Sequence, residues 1–112
     1  MVLSSKYRGT ILVITAHMAR IDAAIEIQFK DEIRAKIDDN AQHVILDLSE
    51  VTFIDSSGLG AIVASMKQLK VNRKLDLAGL TPTVAKVFQL TRMDTVFKIH
   101  TSVDEAMSND GN

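Results

Sequence analysis

The chain contains no cysteine. Disulfides, cysteine nucleophiles and thiolate metal sites are therefore excluded, and the composition fits a reducing, cytoplasmic setting. Aromatic residues are scarce at 4%, and 13 basic and 14 acidic residues are interspersed, leaving a formal net charge of −1. Nucleic-acid binding draws on a clustered basic surface interleaved with aromatics, so nucleic acid is not an expected partner. Long hydrophobic runs are missing as well. The longest are strand-sized, far short of the about 20 apolar residues that span a bilayer, so no membrane insertion is expected. The segment Met1 to Arg8 has neither an uninterrupted apolar core nor a cleavage site, and no signal peptide is expected. No Gly-x-x-x-x-Gly-Lys-[Ser/Thr] loop occurs, so the chain is not expected to be its own phosphate donor.

What is present is the balance of a soluble globular protein: 112 residues, 46% hydrophobic and 24% charged. That length suits one domain over 1–112, with Ser108 to Asn112 expected as a frayed tail. Ile11-Leu12-Val13-Ile14 follows Arg8-Gly9-Thr10 and reads as a buried strand entered from a turn, with Leu3 to Tyr7 pairing as a hairpin. Ile25, Phe29, Ile33 and Ile37 recur every fourth residue and predict a helix, which Asp22 caps or precedes. Val44 to Leu48 reads as a central strand and Phe53-Ile54 as a brief return to the core. Leu59, Ile62, Val63, Met66 and Leu69 then give the inward face of a second helix. Leu75 to Ala78 is a strand, and Thr81-Pro82 starts a third helix with threonine as cap. Phe97 to His100 is a final strand, and a weak helix follows near Val103 to Met107. Strands alternating with helices predict an α/β fold with a partly parallel central sheet.

Asp55-Ser56-Ser57-Gly58-Leu59-Gly60 opens the second helix. A helix start has unsatisfied N–H groups that Asp and Ser side chains commonly accept, so one reading is a cap and a tight turn. The other is a functional serine. Helix termini of such sheets lie at the carboxyl edge, where ligands and partners meet α/β folds. A phosphate there gains from the helix dipole and free N–H groups, and adds about −1.5 to −2 of charge beside Asp55. Gly58, Gly60, Ala61 and Ala64 leave one helix face small-sided, which permits close approach by a partner or by another part of the domain.

Val44-Ile45-Leu46-Asp47-Leu48 through Phe53-Ile54-Asp55-Ser56-Ser57-Gly58-Leu59-Gly60 resembles the signature of STAS domains, specifically stand-alone anti-sigma factor antagonists. Ala19-Arg20-Ile21-Asp22 resembles that family's G-x-L-D loop, and Leu90-Thr91-Arg92-Met93 its late L-x-x-x-G-L segment. The resemblance implies a STAS-like fold, a mixed, mostly parallel sheet of four to five strands with helices mainly on one side. It implies a non-enzymatic module without cofactor or metal. It also implies a phosphoacceptor at Ser56, served by a GHKL-type serine kinase and a PP2C-like phosphatase. By the same resemblance the unphosphorylated form binds its partner and the phosphorylated form releases it. Asp22, Asp55, Ser56, Ser57, Gly58, Leu59, Gly60, Ala61 and Ala64 form the implied partner surface. The implied output is sigma-factor control or another pathway, such as biofilm or exopolysaccharide regulation. Ala19 and Arg92 stand where the family has glycine, and reshaped loops are expected if those glycines served a positive φ.

Other chemistry is thinly represented. His17, His43 and His100 are far apart in sequence and are expected as satisfied polar residues rather than metal ligands. Ser56 does not lie in a G-x-S-x-G elbow, which argues against a hydrolase. The alternative function is a small-ligand or nucleotide-binding STAS-type domain that uses the helix start at Ser56 to Gly60.

Overall fold

In the computed structural model, which describes residues 2–109, five strands form one sheet in the order β1-β2-β4-β6-β7. These are β1 (Leu3–Arg8), β2 (Ile11–Ala16), β4 (His43–Asp47), β6 (Lys74–Ala78) and β7 (Ile99–His100). β1 runs antiparallel to β2, and the remaining neighbours are parallel. The β1–β2 hairpin turns on Gly9 and Thr10, with Arg8 opposite Ile11. Gly9 alone takes a positive φ, +64°, the pattern of a two-residue II′ turn. Two short strands, β3 (Arg20–Ile21) and β5 (Phe53–Ile54), form a separate parallel ladder that periodicity does not reveal.

The sheet separates two apolar layers. On one side, Leu12, Ile14, Val44, Leu46, Leu75 and Leu77 meet α1 (Glu26–Lys36), α2 (Ser56–Lys67) and α3 (Pro82–Leu90) in the main core. Phe29 and Ile33 of α1, Ile62 of α2 and Val84 and Phe88 of α3 are buried there, as helical spacing predicts. Phe88 meets Phe97 edge-on at 6.0 Å. On the other side, Ile11, Val13, Ile45 and Ala78 are covered by α4 (Val103–Asn109) through Val103, Ala106 and Met107. Three helices thus share one face and α4 covers the other, which explains why β2 is apolar on both. Arg8 donates to Asp104 at 3.0 Å and ties α4 to the hairpin.

Several local expectations need correction. Ser108 and Asn109 belong to α4 rather than to a frayed tail, and positions 110–112 lie outside the described residues. Thr81 does not cap α3 with its side chain. Its hydroxyl donates to the Val51 carbonyl at 2.8 Å instead, bonding the helix start to the β4–β5 connection. Arg92 does not reshape its loop: it adopts the left-handed conformation itself, φ 61° and ψ 19°, just after the last turn of α3. A non-glycine residue there costs about 1 kcal/mol. Ala19 has no positive φ, so alanine serves as well as glycine, and its carbonyl accepts from the backbone of Thr52 and Phe53.

His43 and His100 meet on the α4 side of the sheet. Asp76 Oδ2 accepts from Nε2 of each ring at 3.0 Å, and all three residues are buried. The register explains the meeting: Asp76 lies opposite Ile45, two residues after His43, while His100 lies opposite Ala78, two residues after Asp76. Period two puts all three side chains on one face. A carboxylate only accepts, so both rings carry hydrogen on Nε2.

Candidate functional site

The β3–β5 ladder aims the chain into α2. Ile21 and Ile54 point into the core, and alternation turns Arg20, Asp22, Phe53 and Asp55 outward. Asp55 is extended, φ −105° and ψ −175°, and caps α2: its Oδ1 accepts from the Gly58 N–H at 2.8 Å. Its Oδ2 accepts from the Ala23 N–H at 3.2 Å, so one carboxylate joins the start of α2 to the segment leading into α1. The N–H of Gly58 above all, with those of Ala23 and Ser57, holds the Asp55 carboxyl below the usual carboxylate range despite partial burial.

Gly58 is required by close approach. A Cβ there would lie 2.0 Å from the Ile21 carbonyl oxygen and 2.9 Å from Ile54 Cγ1. The first turn of α2 is pressed directly against β3, and this contact fixes where Ser56 sits. Ser56 is the first helical residue, exposed, and its hydroxyl makes no hydrogen bond to the described residues. Ser57 is half-buried. The cap and the serine are thus separate functions of adjacent side chains: Asp55 holds the helix, and Ser56 is left over.

The small-sided face of α2 divides differently from the sequence expectation. Gly58 is buried against β3, and Ala61, 1% exposed, belongs to the main core, so neither offers a side chain to a partner. Ser65 is buried too, donating to the Ala61 carbonyl at 2.8 Å. Ser56 and Gly60 are open to solvent, with Gly60 facing empty space, while Ser57, Leu59 and Ala64 are half-buried at the margin. Asp22 is half-buried and its Oδ1 accepts from the Ala24 N–H at 3.1 Å, so it precedes α1 without capping it.

Three surface features escaped the sequence reading. Ile27, the second residue of α1, is 67% exposed, an apolar side chain on the helix whose entry Asp55 anchors. Arg20 lies over the Phe53 ring at 3.9 Å and donates from Nε to Asp22 Oδ2 at 3.3 Å. Further along the same edge, Glu50 Oε2 accepts from His17 Nδ1 at 2.8 Å, and His17 Nε2 lies 2.8 Å from Ser4 Oγ. That exposed chain of bonds joins β1, the end of β2 and the β4–β5 connection. Among the described residues no group of three or more His, Asp or Glu side chains is arranged to hold a metal ion, and no helix is long and apolar enough to cross a membrane.

Comparison with known proteins places this geometry. BtrV of Bordetella bronchiseptica, which carries the name of an anti-sigma factor antagonist, is 31% identical over 87 residues, covering 77% of this chain and 75% of BtrV. An anti-sigma factor antagonist from Mycobacterium paratuberculosis has the same fold, with a TM-score of 0.85 at 21% identity over 96% of this chain and 91% of that one. The antagonist SpoIIAA in its unphosphorylated form superposes with a TM-score of 0.73 at 24% identity, over 95% of this chain and 93% of that one. The family model for the STAS domain matches residues 4–106, and the chain belongs to the STAS domain family.

Proposed function

We propose that the chain is a phosphorylation-switched protein-interaction module of a partner-switching pathway, with Ser56 as the phosphoacceptor. The observation that carries this reading is the division of labour at the start of α2. Asp55 satisfies the helix, so the exposed Ser56 hydroxyl is free to enter another protein's active site without cost to the fold. A phosphate there adds about −1.5 to −2 of charge beside the ionised Asp55. It changes a surface made of Ser56, Gly60 and the margins of Ser57, Leu59 and Ala64, with Asp22 and Asp55 as its acidic border. Binding by close approach to that surface is lost when charge and volume are added, while the core beneath is unchanged.

The anti-sigma factor antagonists among its relatives support an anti-sigma factor as the class of partner. The kinase is a GHKL-type serine kinase that doubles as the binding partner, and a PP2C-like phosphatase reverses the modification. The chain works by binding and not by catalysis, in the cytoplasm, on a sigma-factor pathway or on another output such as biofilm or exopolysaccharide control. Two surface cavities are lined by other residues, one by Arg34, Ile37, Ser65, Gln68, Leu69, Lys70 and Arg73, the other by Leu80, Ala85, Ile99, His100 and Thr101. Neither includes Ser56 to Gly60.

The test is incubation with a cognate GHKL-type serine kinase and ATP, followed by mass spectrometry of wild type and Ser56→Ala. Phosphate confined to Ser56 and absent from the variant supports the reading. Phosphate retained in Ser56→Ala, or on Ser57, refutes it.

A further inference from the structure

Arg20 is a surface cation that is already oriented and only partly used. Its side chain is 60% exposed and is fixed at two points, stacked on Phe53 with the guanidinium carbon 3.9 Å from the ring centroid and bonded through Nε to Asp22 Oδ2 at 3.3 Å. Its two terminal amino groups make no hydrogen bond to the described residues. The bond to Asp22 also gives the direction of the side chain. Arg20 pairs with Phe53 and Ile21 with Ile54, so Asp22 continues the ladder beside Asp55. The guanidinium thus sits over Phe53, its partner across the ladder, on the face that Asp22 and Asp55 continue and three residues before Ser56 in the chain. Ser56 lies two residues beyond Ile54, at most about 7 Å of extended chain. Neighbouring strands are separated by only about 4.8 Å.

We infer that Arg20 is the internal receptor for a phosphate on Ser56, taking it with the free terminal N–H groups while Phe53 holds the guanidinium plane and Asp22 is displaced or shared. This rests on the reading of Ser56 as the phosphoacceptor. Planar N–H pairs match phosphate oxygens in bidentate fashion, which an ammonium group does not. Two carboxylates, Asp22 and Asp55, follow the paired Ile21 and Ile54 at the end of the ladder that leads to Ser56. Without a counter-charge a phosphate there would be repelled by both, and Arg20 supplies that charge from within the chain. The consequence is that modification of one hydroxyl on α2 is transmitted to the β3–α1 segment. The Arg20–Asp22 bond that now orders that segment is weakened, and Ala23, Ala24 and Ile27 beyond it belong to the switched surface.

The experiment installs phosphoserine at position 56 by genetic encoding, so that it does not depend on finding the kinase, and follows the phosphate by ³¹P NMR titration. An unassisted phosphoserine titrates near pH 6. In the otherwise wild-type chain the phosphate should titrate at least half a unit lower than in the Arg20→Gln chain, with Arg20→Lys in between and Phe53→Leu losing part of the difference. Arg20 is on the surface, so the variants should retain wild-type circular dichroism; a variant that does not is replaced by Arg20→Lys for the comparison. Equal titration of the wild-type, Arg20→Gln and Arg20→Lys chains overturns the inference. Failure of any kinase to modify Ser56 would instead overturn the phosphoacceptor reading, and the two results are read from different samples.

Discussion

Two aspartates of this protein each accept hydrogen bonds from two segments of chain, yet they do opposite work. Asp76 sits inside the sheet and spends one oxygen on two buried imidazoles, His43 and His100, both at 3.0 Å. Asp55 sits at a helix start and accepts from the backbone of Gly58 and Ala23 at 2.8 and 3.2 Å. The first arrangement uses side chains as partners, so nothing in it is left for a visitor. The second uses backbone N–H groups, which every residue type but proline supplies, and so leaves the adjacent Ser56 side chain uncommitted. A count of charges would not distinguish them, whereas the identity of the donors does.

That contrast breaks most sharply at Asp76. Asp76→Ala leaves two buried N–H donors without their acceptor, and should lower unfolding stability by about 4 kcal/mol in denaturant titration. Asp76→Asn, which keeps one carbonyl oxygen, should recover a large part of the loss. If Asp76→Ala melts like wild type, the buried network is not structural. Next comes Gly58→Ala, which drives a methyl group into the Ile21 carbonyl and should cost about 3 kcal/mol. On the reading of Ser56 as the phosphoacceptor, the same variant should also lower Ser56 phosphorylation, because that contact helps seat the first turn of α2. Arg92→Gly works in the opposite direction: relieving the left-handed arginine should raise stability by up to about 1 kcal/mol, measured as a higher denaturant midpoint.

The Asp55 side of the contrast is sharpened by pH. Its folded carboxyl titrates below its unfolded value, so the stability it contributes is present above the unfolded range and is lost as pH falls through the depressed folded value, below about pH 4. Urea midpoints measured from pH 6 down to pH 2.5 should show a shallower acid decline for Asp55→Asn than for wild type, from a lower starting stability. The smallest effect on the fold belongs to Ser56. Ser56→Asp should stay within about 0.5 kcal/mol of wild type while its partner affinity falls at least tenfold in titration calorimetry. A variant that loses partner binding only because it unfolds would make Ser56 structural.

Much of the architecture was legible because apolar residues fall at spacings that only one kind of element satisfies. Phe29 and Ile33, or Ile62 within α2, had to face a core, and Gly9 and Pro82 marked a hairpin and a helix start at their observed places. β3 and β5 were not legible as a ladder, since two residues carry no period and their pairing joins segments far apart in the chain. For the same reason three histidines in unrelated contexts gave no sign that two of them share Asp76.

By itself the sequence determined the alternation of strands and helices, the position of Asp55-Ser56-Ser57-Gly58 at a helix start, and through it the family. Those are properties of neighbouring residues, set by side-chain period, turn chemistry and local capping. Only the tertiary structure decided which of the small residues on α2 reach solvent. Gly58 and Ala61 are used by the chain itself, one against Ile21 and one in the core, while Ser56 and Gly60 stay outside. It also decided that Asp55 rather than either serine caps the helix, that Arg92 takes a left-handed conformation without glycine, and that Arg20 stacks on Phe53. Each of these depends on what a residue meets across the fold, and that follows from the packing of distant segments and not from the residue's own neighbours.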